Sequence, residues 1–285
     1  MLELAIGDAY GAGFEFRTRP HVRACNRVER YHRQPLSVSR AGRYTDDTQM
    51  SIAVAEVLVA GDEWTPEVLA ESFVRAFKRD ARTGYAARFH HFLAGVRDGA
   101  DFLARIRPTS ERSGAAMRAG PIGLVGSVDE VLARAAVQAR LTHDTAGGVA
   151  SAQAAALMVH HSAHGLGSPA TLPAFVAEHV PGDWRTPWRG RVSIDGIPCV
   201  RAALTAVAEC TSLRELLRRC VAWSGDTDTV ATIALASASW STSYAQDLPV
   251  RLVDDLEDGP YGRDFLRALD ADLQAFLARQ RPSAP

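Results

Sequence analysis

The sequence predicts an all-α protein, a single compact multi-helix bundle spanning residues 1–285. Three observations point there. Apolar residues recur three and four apart along most of the chain. Alternating strand patterns are nearly absent. Good N-cap residues stand where several of the periodic stretches begin. The count comes to roughly ten or more helices.

In chain order the periodic stretches are 50–60, 66–78, 85–96, 127–142, 147–163, 197–209, 212–222, 228–239 and 262–280. The second opens on Thr65-Pro66-Glu67, an N-cap followed by proline at the first helical position. Ser127-Val128-Asp129-Glu130 opens the fourth, whose stripe is Val131, Leu132, Ala135, Val137 and Leu141. The fifth is rich in alanine, at Ala152, Ala154, Ala155 and Ala156. Thr211-Ser212 opens the seventh, and the eighth carries Ala231, Ala234, Ala236 and Ala238. Gly259-Pro260-Tyr261-Gly262 leads into the ninth, an amphipathic helix that completes the bundle. The Gly- and Pro-rich stretches are 107–126, 165–173, 181–198 and 281–285, of which 181–198 reads as a loop. None is long or polar enough to be an inter-domain linker, so one domain is expected.

Composition narrows the class. Hydrophobic residues make up 47% and charged residues 23%, the balance of a globular chain with a sizeable core. With 32 basic and 33 acidic residues the formal net charge is −1, which gives no electrostatic case for a nucleic-acid or membrane-surface protein. No two of Cys25, Cys199, Cys210 and Cys220 are spaced as C-x-x-C, so zinc-knuckle and thioredoxin-like motifs are absent and reduced thiols are expected. The first residues lack a basic n-region and reach Gly7-Asp8, read as a turn, too soon for a signal peptide. No apolar run approaches ~20 residues, and a soluble, cytoplasmic protein is expected.

Chemistry concentrates in a few places. Thr45-Asp46-Asp47-Thr48 and Asp226-Thr227-Asp228-Thr229 offer four carboxylates and four hydroxyls. These are hard oxygen donors, suited to Mg²⁺, Mn²⁺ or Ca²⁺ rather than to zinc or copper. A helix cap needs one side chain, whereas each cluster carries two acids that repel until a dication resolves them. Both clusters, and His143-Asp144-Thr145, run into helices of small residues that let backbones approach closely, so the three helix starts are expected to share one pocket. Glu15, beyond Gly7, Gly11 and Gly13 and between Phe14 and Phe16, has an apolar setting that raises a carboxyl pKa. Ser113, Gly114 and Ala115 open a short small-residue loop whose free N–H groups suit a diphosphate. The His160, His161 and His164 group is explained by a cation at a helix C-terminus, and His90-His91 by the surface.

Taken together these pieces resemble the ADP-ribosylglycohydrolase family, the dinitrogenase-reductase-activating glycohydrolase relatives. The resemblance rests on GDAYGAGFEF at 7–16, YTDDTQM at 44–50, SGAAMRAGPIG at 113–123, LTHDTAGG at 141–148 and SGDTDTVA at 224–231. It implies an all-α orthogonal bundle of that type with a binuclear Mg²⁺ centre, Mn²⁺ being possible. Thr45, Asp46 and Asp47 would be ligands from one side, and Asp226, Asp228 and Thr229 from the other. Glu15 matches the family's flap glutamate, Ser113, Gly114 and Ala115 the diphosphate loop, and His143 a motif lining the ADP-ribose pocket. Two departures stand out. The family often has Gly-Asn-Gly where this chain has Arg112-Ser113-Gly114, and Gly-Gly where it has Ser224-Gly225.

The implied function is a metal-dependent hydrolase releasing ADP-ribose from a modified protein side chain or a small ADP-ribose conjugate. Glu15 or Asp47 would handle the proton. Arginine, serine, an acetyl group or a nucleic-acid end are all chemically allowed acceptors. The alternatives are a catalytically silent ADP-ribose-binding module and an all-α metal phosphohydrolase using His143-Asp144. Oligomeric state is not legible in the sequence.

Overall fold

The computed structural model describes residues 1–35 and 40–280, so the Gly- and Pro-rich stretch 281–285 lies outside the described residues. Among the described residues the chain folds into fifteen α-helices and two short 3-10 helices, with no strand beyond isolated bridges. The helices are α1 (Leu2–Ala12), α2 (Arg19–Cys25), α3 (Asp46–Ala60), α4 (Pro66–Arg79), α5 (Ala87–Gly95), α6 (Gly99–Arg105), α7 (Gly114–Met117) and α8 (Val128–Arg140). They continue as α9 (Ala146–Ala163), α10 (Leu172–His179), α11 (Gly196–Glu209), α12 (Leu213–Ala222), α13 (Thr227–Ala238), α14 (Val250–Asp254) and α15 (Arg263–Gln280).

All nine expected helices form, with ends shifted by a few residues. The caps act as their chemistry requires. Thr65 accepts from the Val68 N–H, Ser127 from Glu130 and Ser212 from Glu215, each satisfying an amide that has no intrahelical partner. Most of the extra helices are too short to show a full apolar stripe: α2 and α6 have 7 residues each, α7 has 4 and α14 has 5.

Helix α1 is the important correction, because Gly7-Asp8 is no turn but the middle of an 11-residue helix. Glycine disfavours a helix by about 1 kcal/mol, yet here packing decides. A Cβ on Gly7 would stand 2.8 Å from the Ala231 carbonyl oxygen, and one on Gly11 would stand 2.5 Å from the Asp228 Cα. Only glycines four apart let α1 lie this close along α13. Every residue of α13 is buried, which makes it the central post of the bundle. The buried apolar side chains form one continuous cluster around it.

The histidines ending α9 also need correction. His160 is buried with Nδ1 3.0 Å from the Gly123 carbonyl, and burial first, then His164, lowers its pKa to about 4. Burial likewise lowers the pKa of His161. They are neutral packing groups, not cations on a helix dipole. His90 and His91 are exposed, as expected. All four cysteines are free thiols, and no helix among the described residues is long and apolar enough to cross a membrane.

Candidate active site

The site is assembled where α1, α3, α13 and the Ser113 loop meet. Asp8, on α1, is fully buried and reaches across to the start of α3. Its Oδ1 accepts from the Thr45 hydroxyl at 2.8 Å. Its Oδ2 accepts from the Thr45 amide at 2.9 Å, the Thr48 amide at 3.0 Å and the Thr48 hydroxyl at 2.6 Å. Thr45 caps α3 by accepting from the Asp47 amide at 3.4 Å, and a carboxylate from a different helix reinforces that cap and fixes the Thr45-Asp46-Asp47 turn. Asp46 is further seated by its own amide bonding the Thr83 carbonyl at 3.0 Å. Gly84 lies against its carboxylate, because a Cβ there would fall 2.0 Å from Asp46 Oδ1.

On the opposite side Asp226 stands at the start of α13 without capping it. Its Oδ2 accepts from the Ser113 hydroxyl at 3.1 Å and from the Cys199 thiol at 3.4 Å. Thr229 donates to the Ser113 oxygen at 3.4 Å. The turn before α13 is strained: Ser224 has φ of 57°, a left-handed value unusual for a residue with a Cβ. The turn carrying Glu15 is pinned to this one by the Phe16 amide, which bonds the Gly225 carbonyl at 3.0 Å.

Two oxygens in this pocket, Asp47 Oδ2 and Asp228 Oδ1, have no hydrogen-bond partner among the described residues. A buried carboxylate oxygen left bare costs about 1–3 kcal/mol or more. Capping therefore does not account for the acids. One carboxylate oxygen from each of Glu15, Asp226 and Asp228 lies within 4.8 Å of the others, close enough to share one cation. Burial, followed by the charge of Asp8, holds Asp46 and Asp47 well above the usual carboxylate range. Burial and then Glu15, Asp226 and Asp47 do the same to Asp228. Glu15 rises to about 7, from burial first and the Asp226 charge second, against a hydrogen bond from Gln34. Bare oxygens, mutual repulsion and an all-oxygen donor set together fit a hard divalent cation.

On the far side of Ser113, Gly114 closes on the His143 ring, where a Cβ would meet Cε1 at 2.9 Å. Burial, then Arg118, lowers the His143 pKa to about 3, so the ring is neutral.

An ADP-ribosylglycohydrolase family model matches residues 1–283. The chain belongs to the ADP-ribosylglycohydrolase family. Among its relatives, the ADP-ribosyl-dinitrogen reductase glycohydrolase of Rhodospirillum rubrum is 28% identical over 98% of this chain and 92% of its own. The ADP-ribosylhydrolase ARH3 of Xenopus tropicalis is 23% identical over 84% of both chains. A solved structure titled ADP-ribosylglycohydrolase-related protein complex superposes with a TM-score of 0.67 at 22% identity, over 97% of this chain and 95% of that one, which shows the shared fold. As a member of this family the protein is a hydrolase acting on glycosidic bonds of ADP-ribose.

In this ADP-ribosylglycohydrolase the sequence-predicted residues gather unevenly. Asp46, Asp47, Asp226 and Asp228 form one charged pocket. Glu15, expected to handle a proton, also stands in the tightest carboxylate group. Of the four hydroxyls, Thr48 is committed to Asp8, and Thr227 donates to the Gly11 carbonyl at 2.9 Å. The Ser113 side chain is turned inward to Asp226. The His143-Asp144 pair is split: Asp144 is exposed and pairs with Arg140 at 3.4 Å, whereas His143 is buried. Two residues at the site escaped the sequence reading. Asp8 sits inside the quoted Gly7–Phe16 motif, and its type alone was a signal. Cys199 carried none.

Proposed function

We propose that this ADP-ribosylglycohydrolase works as a single domain holding two divalent ions, Mg²⁺ by preference with Mn²⁺ able to substitute. It releases ADP-ribose from a modified protein side chain or a small conjugate. The observation that carries this reading is the pair of bare, buried carboxylate oxygens, Asp47 Oδ2 and Asp228 Oδ1, on helix starts brought together by the fold. Thr45, Asp46 and Asp47 would hold metal from α3, and Asp226, Asp228 and Thr229 from α13. Thr45 suits that role because its proton is already given to Asp8, which leaves an oxygen lone pair to face the ion. When bound, the ions supply Lewis acidity and lower the pKa of a bound water.

The chain's own groups then divide the work. Glu15, partly exposed on its flap and with its pKa lifted to about 7, orients the attacking water and takes its proton as the anomeric bond breaks with oxocarbenium character. Asp47 is the weaker candidate for that step, being deeply buried among acids. The Gly114 and Ala115 amides lie in the first turn of α7, where no intrahelical acceptor exists, and face the diphosphate beside His143. Four free thiols are in keeping with a cytoplasmic protein.

The test is ADP-ribose release from ADP-ribosyl-arginine, ADP-ribosyl-serine and O-acetyl-ADP-ribose, each with Mg²⁺ and with EDTA. Release from one of them, abolished by EDTA, is expected and names the acceptor bond. Tight ADP-ribose binding without release from any would turn the reading to a silent binding module.

A further inference from the structure

Arg118 caps the end of α7 and is almost completely buried, yet no carboxylate pairs with it among the described residues. Its Nε donates to the Gln138 side-chain oxygen at 2.7 Å. Its Nη2 donates to the Gln138 carbonyl at 3.1 Å and to the Thr142 hydroxyl oxygen at 2.8 Å. The Phe73 ring lies 4.5 Å from the guanidinium carbon. Gln138 completes the clamp by donating its amide to the Ala115 carbonyl at 2.8 Å. A guanidinium only donates, so the direction of each bond to it is fixed.

That direction determines the next bond. Thr142 Oγ1 lies 2.6 Å from His143 Nδ1. The hydroxyl already accepts from Arg118 and has one hydrogen to place. If His143 Nδ1 carried the ring proton, the hydroxyl would accept twice, and its own hydrogen would be left without an acceptor in a residue only 5% exposed. Placing the Thr142 hydrogen on Nδ1 satisfies both groups. The ring proton then resides on Nε2, which faces Gly114 and has no protein acceptor among the described residues.

We infer that Thr142, held by Arg118, is a positioning residue that locks His143 in the Nε2–H tautomer and so presents a single fixed donor to an oxygen of ADP-ribose beside Gly114. The donor's destination rests on the ADP-ribose reading above, whereas the tautomer does not. Burial supports the lock, since a neutral ring has only one proton to place. It also gives a use to two sequence motifs that the metal site leaves idle, the arginine closing Ser113–Arg118 and the threonine of Leu141-Thr142-His143.

Histidine nitrogen-15 labelling with long-range proton–nitrogen correlation spectra tests this, the His143 signals being assigned by their loss in His143→Gln. The full chain is expected to show unprotonated Nδ1 and protonated Nε2 from pH 8 down to pH 5. Thr142→Val should mix the tautomers and weaken ADP-ribose binding about tenfold, with Thr142→Ser restoring both. A protonated Nδ1 in the unaltered protein would overturn the inference without any variant, and so would a folded Thr142→Val that keeps the tautomer. If the Nε2–H form is found but ADP-ribose moves no His143 signal, the lock stands and the ADP-ribose reading falls.

Discussion

Two buried polar clusters meet at opposite ends of the four-residue helix α7, and they are completed in different ways. At its start, Ser113 joins the acid pocket of Asp46, Asp47, Asp226 and Asp228, where two oxygens have no partner. At its end, Arg118 bonds Gln138 and Thr142, and no buried polar atom of those three is left bare. In a network whose own atoms are all satisfied every bond favours the fold, even where, as at Thr142, it also positions a neighbouring group. A network left open at defined atoms stores repulsion that a ligand must relieve. The difference predicts opposite behaviour under mutation.

The largest contrast should come from Asp228→Ala. Turnover should fall by at least about a thousandfold, since the metal ligand set is broken. Stability without metal should hold or rise, because one member of a repelling cluster is gone. In the unaltered protein Mg²⁺ should raise the melting temperature by mass action, and in this variant it should not. Full turnover, or an undiminished Mg²⁺ shift, would dissolve the distinction between the clusters. Arg118→Met tests the closed network in the same way. Leaving Gln138 and Thr142 unpaired in the core should cost about 3 kcal/mol in urea unfolding, with or without Mg²⁺.

Gly11→Ala sits between the two. The added Cβ would press on the Asp228 backbone, so a loss of about 2 kcal/mol is expected together with weaker Mg²⁺ binding by calorimetry. Stability lost with unchanged Mg²⁺ affinity would mean that the α1–α13 approach does not position the acids.

A subtler signature lies in pH. Glu15 titrates near 7 in the metal-free fold, above its ordinary value of 4.5. Between those two values the folded state binds more protons than the unfolded one, so stability falls as pH rises through that window. Metal-free melting temperature should therefore drop from pH 5 to pH 7, and Glu15→Gln should make the drop shallower, the buried aspartates keeping the rest. A flat profile in the unaltered protein would show that Glu15 does not share the field of the acids.

How much of this was legible in the sequence follows the same division. The long helices announce themselves by period because each is decided locally. The acid pairs announce themselves because like charges stand side by side at 46–47 and 226–228. Helix α1 does not, because its glycines are justified only by α13, more than two hundred residues away in sequence. Asp8 is in view within its motif, but its four donors lie 37 and 40 residues further on. Cys199 reaches Asp226 from a helix with no marker at all. Bare oxygens are a property of assembled space, so only the fold could reveal which carboxylates lack partners.

The smallest effect should come from the strained turn before α13. Ser224 holds a left-handed backbone that glycine adopts more readily, and its hydroxyl bonds the Trp223 carbonyl at 2.6 Å. Left-handed geometry costs a residue with a Cβ about 1–2 kcal/mol, and glycine escapes that cost while losing more chain entropy on folding. The lost hydroxyl bond takes back about another 1 kcal/mol. These terms nearly cancel, so Ser224→Gly should change stability by less than about 1 kcal/mol and leave Mg²⁺ affinity as it was. A gain well beyond that would mark Ser224 as strain retained next to the Asp226 turn, and a matching change in Mg²⁺ affinity would tie that strain to the open cluster rather than to the closed one.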